Sequence, residues 1–149
     1  MDKIYKVLIV DDSALVLTTL SGMIQYSDMT EDIIVECQYD FSKPVETLTN
    51  NINEYDLILA DYEVPGINGV EFCEWLTEYQ ATVPVLVLTG FRLAKLEKAF
   101  KAAYKNIVMY TNKPFTRKFL MGGIKTALQQ SSRPVISQKT NKKLLQDDI

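Results

Sequence analysis

The chain has 149 residues, of which 47% are hydrophobic and 23% charged, and these proportions suit one globular domain and oppose a disordered or fibrous protein. Histidine is absent, which excludes Ser-His-Asp and Cys-His nucleophile pairs, most zinc sites and any phosphohistidine carried by this chain. The net charge of −3 hides an asymmetry, because residues 1–75 hold 3 basic and 15 acidic residues whereas residues 76–149 hold 13 and 4. We therefore expect one acidic pole and one basic face on the same fold.

The amino terminus carries only a short apolar run, VLIV, before two acids, which is too short for the core of a signal peptide. No stretch of the sequence approaches the length of a membrane span. We expect a cytoplasmic protein that does not interact with a membrane.

Short apolar runs alternate with amphipathic segments along the first 130 residues. The apolar runs predict five strands, at 6–10, 33–39, 55–60, 83–90 and 106–111. The segments between and after them predict five helices, one beginning near Ser13 and the others at 42–52, 69–79, 92–104 and 116–130. Strict alternation of this kind predicts an α/β fold, a doubly wound five-stranded parallel sheet with helices on both faces.

Caps and composition set the predicted boundaries. Asp12 or Ser13 can cap the first helix, and Ser42 can cap the second, near Pro44. After Gln130 the sequence becomes polar and has no apolar stripe of useful length. We therefore expect residues 1–130 to form the domain and residues 131–149 to be a polar tail or linker.

Polar residues follow four of the five predicted strands. Asp11 and Asp12 follow the first strand, Asp61 the third, and Lys113 the fifth, while Thr89 ends the fourth. Because the carboxyl ends of parallel strands meet at one edge of the sheet, these side chains are expected to converge there. Each of them alone also has an ordinary explanation as a cap, turn or loop residue.

Three carboxylates at one edge require a cation. Two of them about 4 Å apart, at an effective dielectric constant near 20, repel each other by roughly 4 kcal/mol. Oxygen ligands without histidine or cysteine favour Mg²⁺. A carboxylate beside Mg²⁺ and the Lys113 ammonium can attack phosphorus to form an acyl phosphate, and the Thr89 hydroxyl can then hydrogen-bond the phosphoryl group.

Four stretches, VLIVDD, LILADYEVPGINGVE, VLVLTG and YTNKPF, occur in an order that resembles the receiver domain of two-component response regulators, of the chemotaxis-regulator type. The resemblance covers about residues 5–130 and implies a flavodoxin-like strand order of 2-1-3-4-5. It makes Asp61 the phosphoacceptor and a metal ligand. It also implies that Asp12 binds Mg²⁺ directly, Asp11 through water, and Glu63 through its backbone carbonyl.

The same resemblance assigns roles at the ends of the fourth and fifth strands. Lys113 contacts the phosphoryl group, and the bond between Lys113 and Pro114 is cis. Thr89 and Tyr110 are the switch residues, with Tyr110 swinging inward when Thr89 moves toward the phosphoryl group. The chain is then a signalling switch and not an enzyme, and its phosphodonor is a sensor histidine kinase.

In this family, phosphorylation remodels the face formed by the fourth helix, the fifth strand and the fifth helix. Basic residues along the predicted fourth helix form a broad positive band: Arg92, Lys95, Lys98, Lys101 and Lys105. The band favours a partner protein, an output domain or a second copy of the chain, with a solvated helix face as the ordinary alternative. Direct nucleic-acid binding is not expected, because no recognition helix is visible and the net charge is negative.

Several positions depart from the family pattern. The segment between Asp12 and Asp61 is longer than in compact members, so we expect the second strand and helix to be irregular. AAYKN precedes the fifth strand where Gly-Ala is common, which predicts a bulkier loop. Glu63 and Phe91 lie where the family tunes dephosphorylation, and an acid and a large ring there predict slow loss of the phosphoryl group.

Three alternatives remain open at this point. A Mg²⁺-dependent aspartyl phosphatase of the haloacid dehalogenase type would need a D-x-D arrangement after the first strand, where this chain has Asp-Asp-Ser. A flavin binder of the same topology would need a hydroxyl-rich or glycine-rich loop at that place. A receiver that acts only as a scaffold, without phosphorylation, is disfavoured because every site position is filled.

Overall fold

A computed structural model describes residues 3–131, in which strands and helices alternate as the sequence predicts. The strands are β1 (Ile4–Val10), β2 (Asp32–Gln38), β3 (Leu57–Ala60), β4 (Val85–Thr89) and β5 (Ile107–Asn112). The helices are α1 (Ala14–Gln25), α2 (Ser42–Asn50), α3 (Gly69–Glu78), α4 (Ala94–Ala103) and α5 (Arg117–Gln129). All strand pairs are parallel in the order β2-β1-β3-β4-β5, which confirms the doubly wound α/β fold and its strand order. The predicted tail, from residue 132 onward, lies outside the described residues.

The central strands are buried on both faces, which explains why they read as continuous apolar runs. On β3, Ile58 and Ala60 pack into the core beneath α2, α3 and α4. Leu57 and Leu59 point to the opposite face and pack into the core beneath α1 and α5. The sheet is thus fixed from both sides, and the carboxyl end of β3 is held in one place. Within residues 3–131, none of the helices is both long and apolar enough to span a bilayer.

The second strand and helix are regular, so the expected irregularity is wrong. β2 pairs with β1 over seven residues, in unbroken register from Ile4↔Asp32 to Val10↔Gln38. Between β1 and β3 the longest connecting loops are 26–31 and 51–56.

Ser13 caps α1 as predicted, since its hydroxyl accepts the Val16 N–H at 3.3 Å. The predicted Ser42 cap of α2 is wrong. Phe41 occupies the cap position because its ring is buried and stacks on Phe72, with 4.3 Å between ring centroids. Ser42 is the first helical residue, and its hydroxyl donates to the Asp40 carboxylate at 2.7 Å.

The fourth helix is shorter than predicted, so Arg92 and Lys105 lie in the loops that flank it. The bulky residue of the AAYKN stretch turns inward: Tyr104 is buried, and its hydroxyl donates to the Val83 carbonyl at 2.7 Å. The pairing between β4 and β5 shifts in register between Val85 and Leu86. The structure therefore accommodates the larger loop by burying its side chain.

Candidate functional site

Strand pairing brings two of the predicted acids side by side. The Asp11 N–H donates to the Gln38 carbonyl at 3.1 Å, and the Asp61 N–H donates to the Val10 carbonyl at 3.1 Å. These bonds continue the β1–β2 and β1–β3 ladders one residue beyond the strands. The burial of the apolar runs consequently determines where both carboxylates emerge.

The three predicted acids form one cluster. Asp11, Asp12 and Asp61 each offer a carboxylate oxygen, and the three oxygens lie within 4.8 Å of one another. Asp11 and Asp61 are only 3% and 6% exposed, whereas Asp12 is exposed to solvent. Such a set of hard oxygen donors, open on one side, fits Mg²⁺ with water and a phosphate completing its coordination.

Lys113 joins the two buried carboxylates. Its ammonium lies 2.6 Å from Asp11 Oδ2 and 3.1 Å from Asp61 Oδ2. Burial alone would lower the pKa of Lys113, but the hydrogen bond to Asp11 and the charge of Asp61 raise it above its ordinary value. Burial raises the pKa of Asp11, although the bonds from Lys113 and the Ser13 N–H favour its anion. Lys113 therefore remains an ammonium beside the carboxylates.

The loop after β3 holds Asp61 against the site. Asp61 Oδ1 accepts the Tyr62 N–H at 2.7 Å, which leaves Oδ2 for Lys113. The chain turns at Pro65 and Gly66, and Gly66 has φ +85°, a conformation that favours glycine. The Gly69 N–H then donates to the Tyr62 carbonyl at 2.9 Å and closes the loop.

The predicted switch hydroxyl is buried on the neighbouring strand. Thr89 is fully buried, and its hydroxyl accepts the Phe91 N–H at 3.2 Å. Its carbonyl accepts the Lys113 N–H at 2.9 Å, so the end of β4 is fixed to the end of β5. The Lys113–Pro114 bond is cis, as the resemblance implies.

Tyr110 occupies an unusual position on β5. Its hydroxyl is buried and has no hydrogen-bond partner among the described residues. Burial, Glu97 and Asp61, in that order, raise its pKa. Its ring lies 5.9 Å from that of Phe100, measured between centroids.

A chain of aromatic rings links Tyr110 to Tyr62, the residue that follows Asp61. Phe100 lies 6.3 Å from Tyr62, and Tyr62 meets Phe91 edge-on at 5.5 Å. Phe100 lies four residues after Leu96 in the sequence, a helical spacing that indicates burial but does not indicate this contact.

The site opens into a cavity of about 490 Å³. The cavity is lined by Asp12, Asp61, Glu63, Gly90, Phe91, Arg92, Leu93 and Lys113. The structure thus brings Asp11, Asp12, Asp61 and Lys113 together, with Glu63 and Phe91 at the rim as sequence position suggests. Arg92 and Leu93 were not predicted to belong to the site, because only the folding of the β4–α4 loop toward β5 places them there.

Comparison with known protein families gives a match over most of the chain. The family model described as the response regulator receiver domain matches residues 7–125. The response regulator RppA of Synechocystis is 30% identical over 127 residues, covering 85% of this chain and 51% of RppA. The response regulator ArlR of Staphylococcus saprophyticus is 32% identical over 127 residues, covering 84% of this chain and 53% of ArlR. This chain spans about half the length of these two curated relatives.

Solved structures show the same fold at lower identity. A CheY-like receiver domain from Methanospirillum hungatei superposes with a TM-score of 0.72 at 20% identity, covering 85% of this chain and 95% of that one. A response regulator from Chloroflexus aurantiacus superposes with a TM-score of 0.73 at 24% identity, covering 86% of this chain and 100% of that one.

Proposed function

Because the chain belongs to the response regulator receiver family, we propose that it accepts a phosphoryl group on Asp61 from a sensor histidine kinase and passes the signal to a partner. The observation that carries the proposal is the contact of Asp61 Oδ2 with Lys113 at 3.1 Å, inside the cluster formed with Asp11 and Asp12. We also infer that the protein works in the cytoplasm.

In the proposed reaction an Asp61 oxygen attacks phosphorus, the bond from phosphorus to the donor nitrogen or oxygen breaks, and the donor leaves with the electron pair. Lys113 binds the phosphoryl oxygens as a fixed cation, and its bond to Asp11 orients it. A Mg²⁺ ion held by Asp11, Asp12, Asp61 and the Glu63 carbonyl would stabilise the negative charge on the phosphoryl oxygens.

The new charge on Asp61, about −1.5 to −2, is proposed to attract the Thr89 hydroxyl. Thr89 must then release the Phe91 N–H, which alters the loop before α4. Tyr110 is suited to respond, because its hydroxyl has no hydrogen-bond partner among residues 3–131 to lose. The rings of Phe100 and Tyr62 connect this movement to α4 and to Asp61.

The proposed output face consists of α4, β5 and α5. It carries three exposed lysines on α4, at 95, 98 and 101, although Lys101 pairs with Glu97 at 3.2 Å. Residues of β5 and α5 line a cavity of about 720 Å³, and the exposed ring of Phe119 forms part of its wall. This combination supports a protein partner that offers acidic and apolar groups, whether an output domain or a second copy of the chain.

The enzyme alternatives gain no support from the site. A haloacid dehalogenase phosphatase and a flavin binder both depend on the loop after β1, which here provides Asp11, Asp12 and the cap Ser13. The nucleophile position in this chain follows β3 instead. A signalling switch is the function that the arrangement supports best.

The proposal is tested by incubating the protein with acetyl phosphate and Mg²⁺ and measuring the intact mass. We expect the wild type to gain the mass of one phosphoryl group, and chelation of the metal to prevent the gain. Asp61→Asn should gain nothing, since an amide cannot attack phosphorus.

Asp40→Asn is the matched control, because Asp40 follows β2 at the same edge of the sheet but lies outside the acidic cluster. It should be phosphorylated like the wild type. Phosphorylation of Asp61→Asn at the wild-type rate would refute the assignment of the phosphoacceptor.

A further inference from the structure

Arg92 belongs to the cavity of the acidic site, yet the proposed function gives it no role. It lies in the loop between β4 and α4, is exposed, and donates from Nη2 to the Lys113 carbonyl at 2.7 Å. The same lysine contacts Asp11 and Asp61 through its ammonium. This bond therefore holds the Arg92 side chain at the mouth of the site.

Arg92 is the one cation lining the cavity that is not already paired with a carboxylate among residues 3–131. The carboxylates of Asp11, Asp12 and Asp61 are offset by Lys113 together with the divalent cation of the proposed function, and Glu63 adds a negative charge at the rim. Arg92 forms no ion pair within residues 3–131, and its hydrogen-bond partner is a neutral carbonyl. A guanidinium has five N–H donors in a fork that matches phosphate oxygens.

Resting on the proposed function, we propose that Arg92 is a specificity-determining residue that binds the anionic oxygens of the phosphodonor. It favours donors with two negative charges, such as acyl phosphates and phosphohistidine, over donors with a single net negative charge. The bond to the Lys113 carbonyl fixes the direction of the guanidinium, and its other N–H groups remain for the donor.

The experiment compares the rate of Asp61 phosphorylation by acetyl phosphate with that by phosphoramidate, which carries one net negative charge near neutral pH. Arg92→Gln is expected to slow the reaction with acetyl phosphate about tenfold, equivalent to about 1.4 kcal/mol. With phosphoramidate the loss is expected to be smaller, about threefold, because its positively charged nitrogen offsets part of the attraction between the guanidinium and the phosphoryl oxygens. Arg92→Lys should keep most of the preference for acetyl phosphate.

Lys43→Gln is the control, since it removes one exposed positive charge on α2, away from the cavity. It should leave both rates near the wild-type values. If Lys43→Gln slowed phosphorylation by acetyl phosphate as much as Arg92→Gln does, the inference would be overturned, because net charge alone would then explain the effect. If Arg92→Gln lost the same factor in rate with both donors, the inference would also be overturned, since a displaced β4–α4 loop would then explain the slower reaction.

A second readout is the affinity for Mg²⁺ without any donor, followed by amide chemical shifts. Arg92→Gln should bind Mg²⁺ no more weakly than the wild type, because it loses a nearby positive charge. Weaker Mg²⁺ binding would overturn the inference, because Arg92 would then help to position the acidic cluster.

A wild type that gains no phosphoryl mass from either donor would overturn the proposed function itself. If the wild type gains the phosphoryl mass and Arg92→Gln is phosphorylated at the wild-type rate by both donors, this inference alone would be overturned.

Discussion

At the scale of single residues, the position of Asp61 depends on a neighbour that has no side chain. Gly69 begins α3, and a Cβ placed on it would lie 2.3 Å from the Asp61 carbonyl oxygen. The same Cβ would lie 2.9 Å from the ring of Phe100. Neither group can move freely, because Asp61 is fixed by β1 and Phe100 is fully buried. The absence of a side chain at Gly69 is therefore a requirement of the site.

Gly69→Ala is expected to lower the free energy of unfolding by about 2 kcal/mol, the usual cost of overpacking a filled core. Urea denaturation measures the change. Gly122→Ala is the matched control, because its Cβ would meet nothing within 4 Å and Gly122 lies within α5. That variant should gain about 0.5–1 kcal/mol from helix propensity. Equal effects of the two substitutions would contradict the close approach at Gly69.

At the scale of elements, the β4–α4 loop is joined to the end of β5. The Asn112 amide donates to the Phe91 carbonyl at 2.6 Å and to the Thr89 carbonyl at 3.3 Å. Arg92 adds its bond to the Lys113 carbonyl. These side chains hold the loop that carries Phe91 beside the acidic cavity, so the placement of the rim depends on β5.

Asn112→Ala is expected to lower the free energy of unfolding by about 1 kcal/mol, since the Phe91 carbonyl loses its donor. If the loop opens more easily by the same amount, hydrogen exchange at the Phe91 amide should be about fivefold faster. Asn106→Ala removes a side-chain amide bond to the Thr82 carbonyl at the other end of β5, where the bond is exposed. It should cost less stability and leave exchange at Phe91 unchanged. Faster exchange in both variants would mean that the loop is not held by Asn112 in particular.

The elements also show which features the sequence could predict. The strands and the acids that follow them were predictable, because apolar runs and strand-end carboxylates are local signals. The cap of α2 was not, because Phe41 takes it by stacking on Phe72, which lies in another helix. The place of Arg92 in the site was likewise hidden, since it depends on contact with a strand that comes later in the chain.

At the scale of the whole molecule, the acidic and basic halves of the chain meet at the site. Asp11, Asp12 and Asp61 come from the acidic half, and Lys113 and Arg92 come from the basic half. The uneven distribution of charge along the sequence therefore places opposite charges from distant segments next to each other, where they attract. At the opposite edge of the sheet, the two ends of the described chain meet at another carboxylate.

That carboxylate is Asp56, which is fully buried and immediately precedes β3. It accepts the Lys6 N–H at 2.8 Å and the Ser131 hydroxyl at 2.6 Å, and the Lys3 ammonium lies 3.4 Å away. It thus connects the first strand and the residues after α5 to the centre of the sheet.

Asp56→Ala is expected to lower the free energy of unfolding by about 3 kcal/mol, because it leaves a buried N–H and a partly buried ammonium without their acceptor. The midpoint of urea denaturation measures the loss. Asp28→Ala is the control, since it also removes a carboxylate that pairs with a lysine, Lys125, but on the exposed surface. Its midpoint should stay close to that of the wild type, because water and salt screen an exposed pair. Similar midpoints for the two variants would show that the ends of the domain are not held together through Asp56.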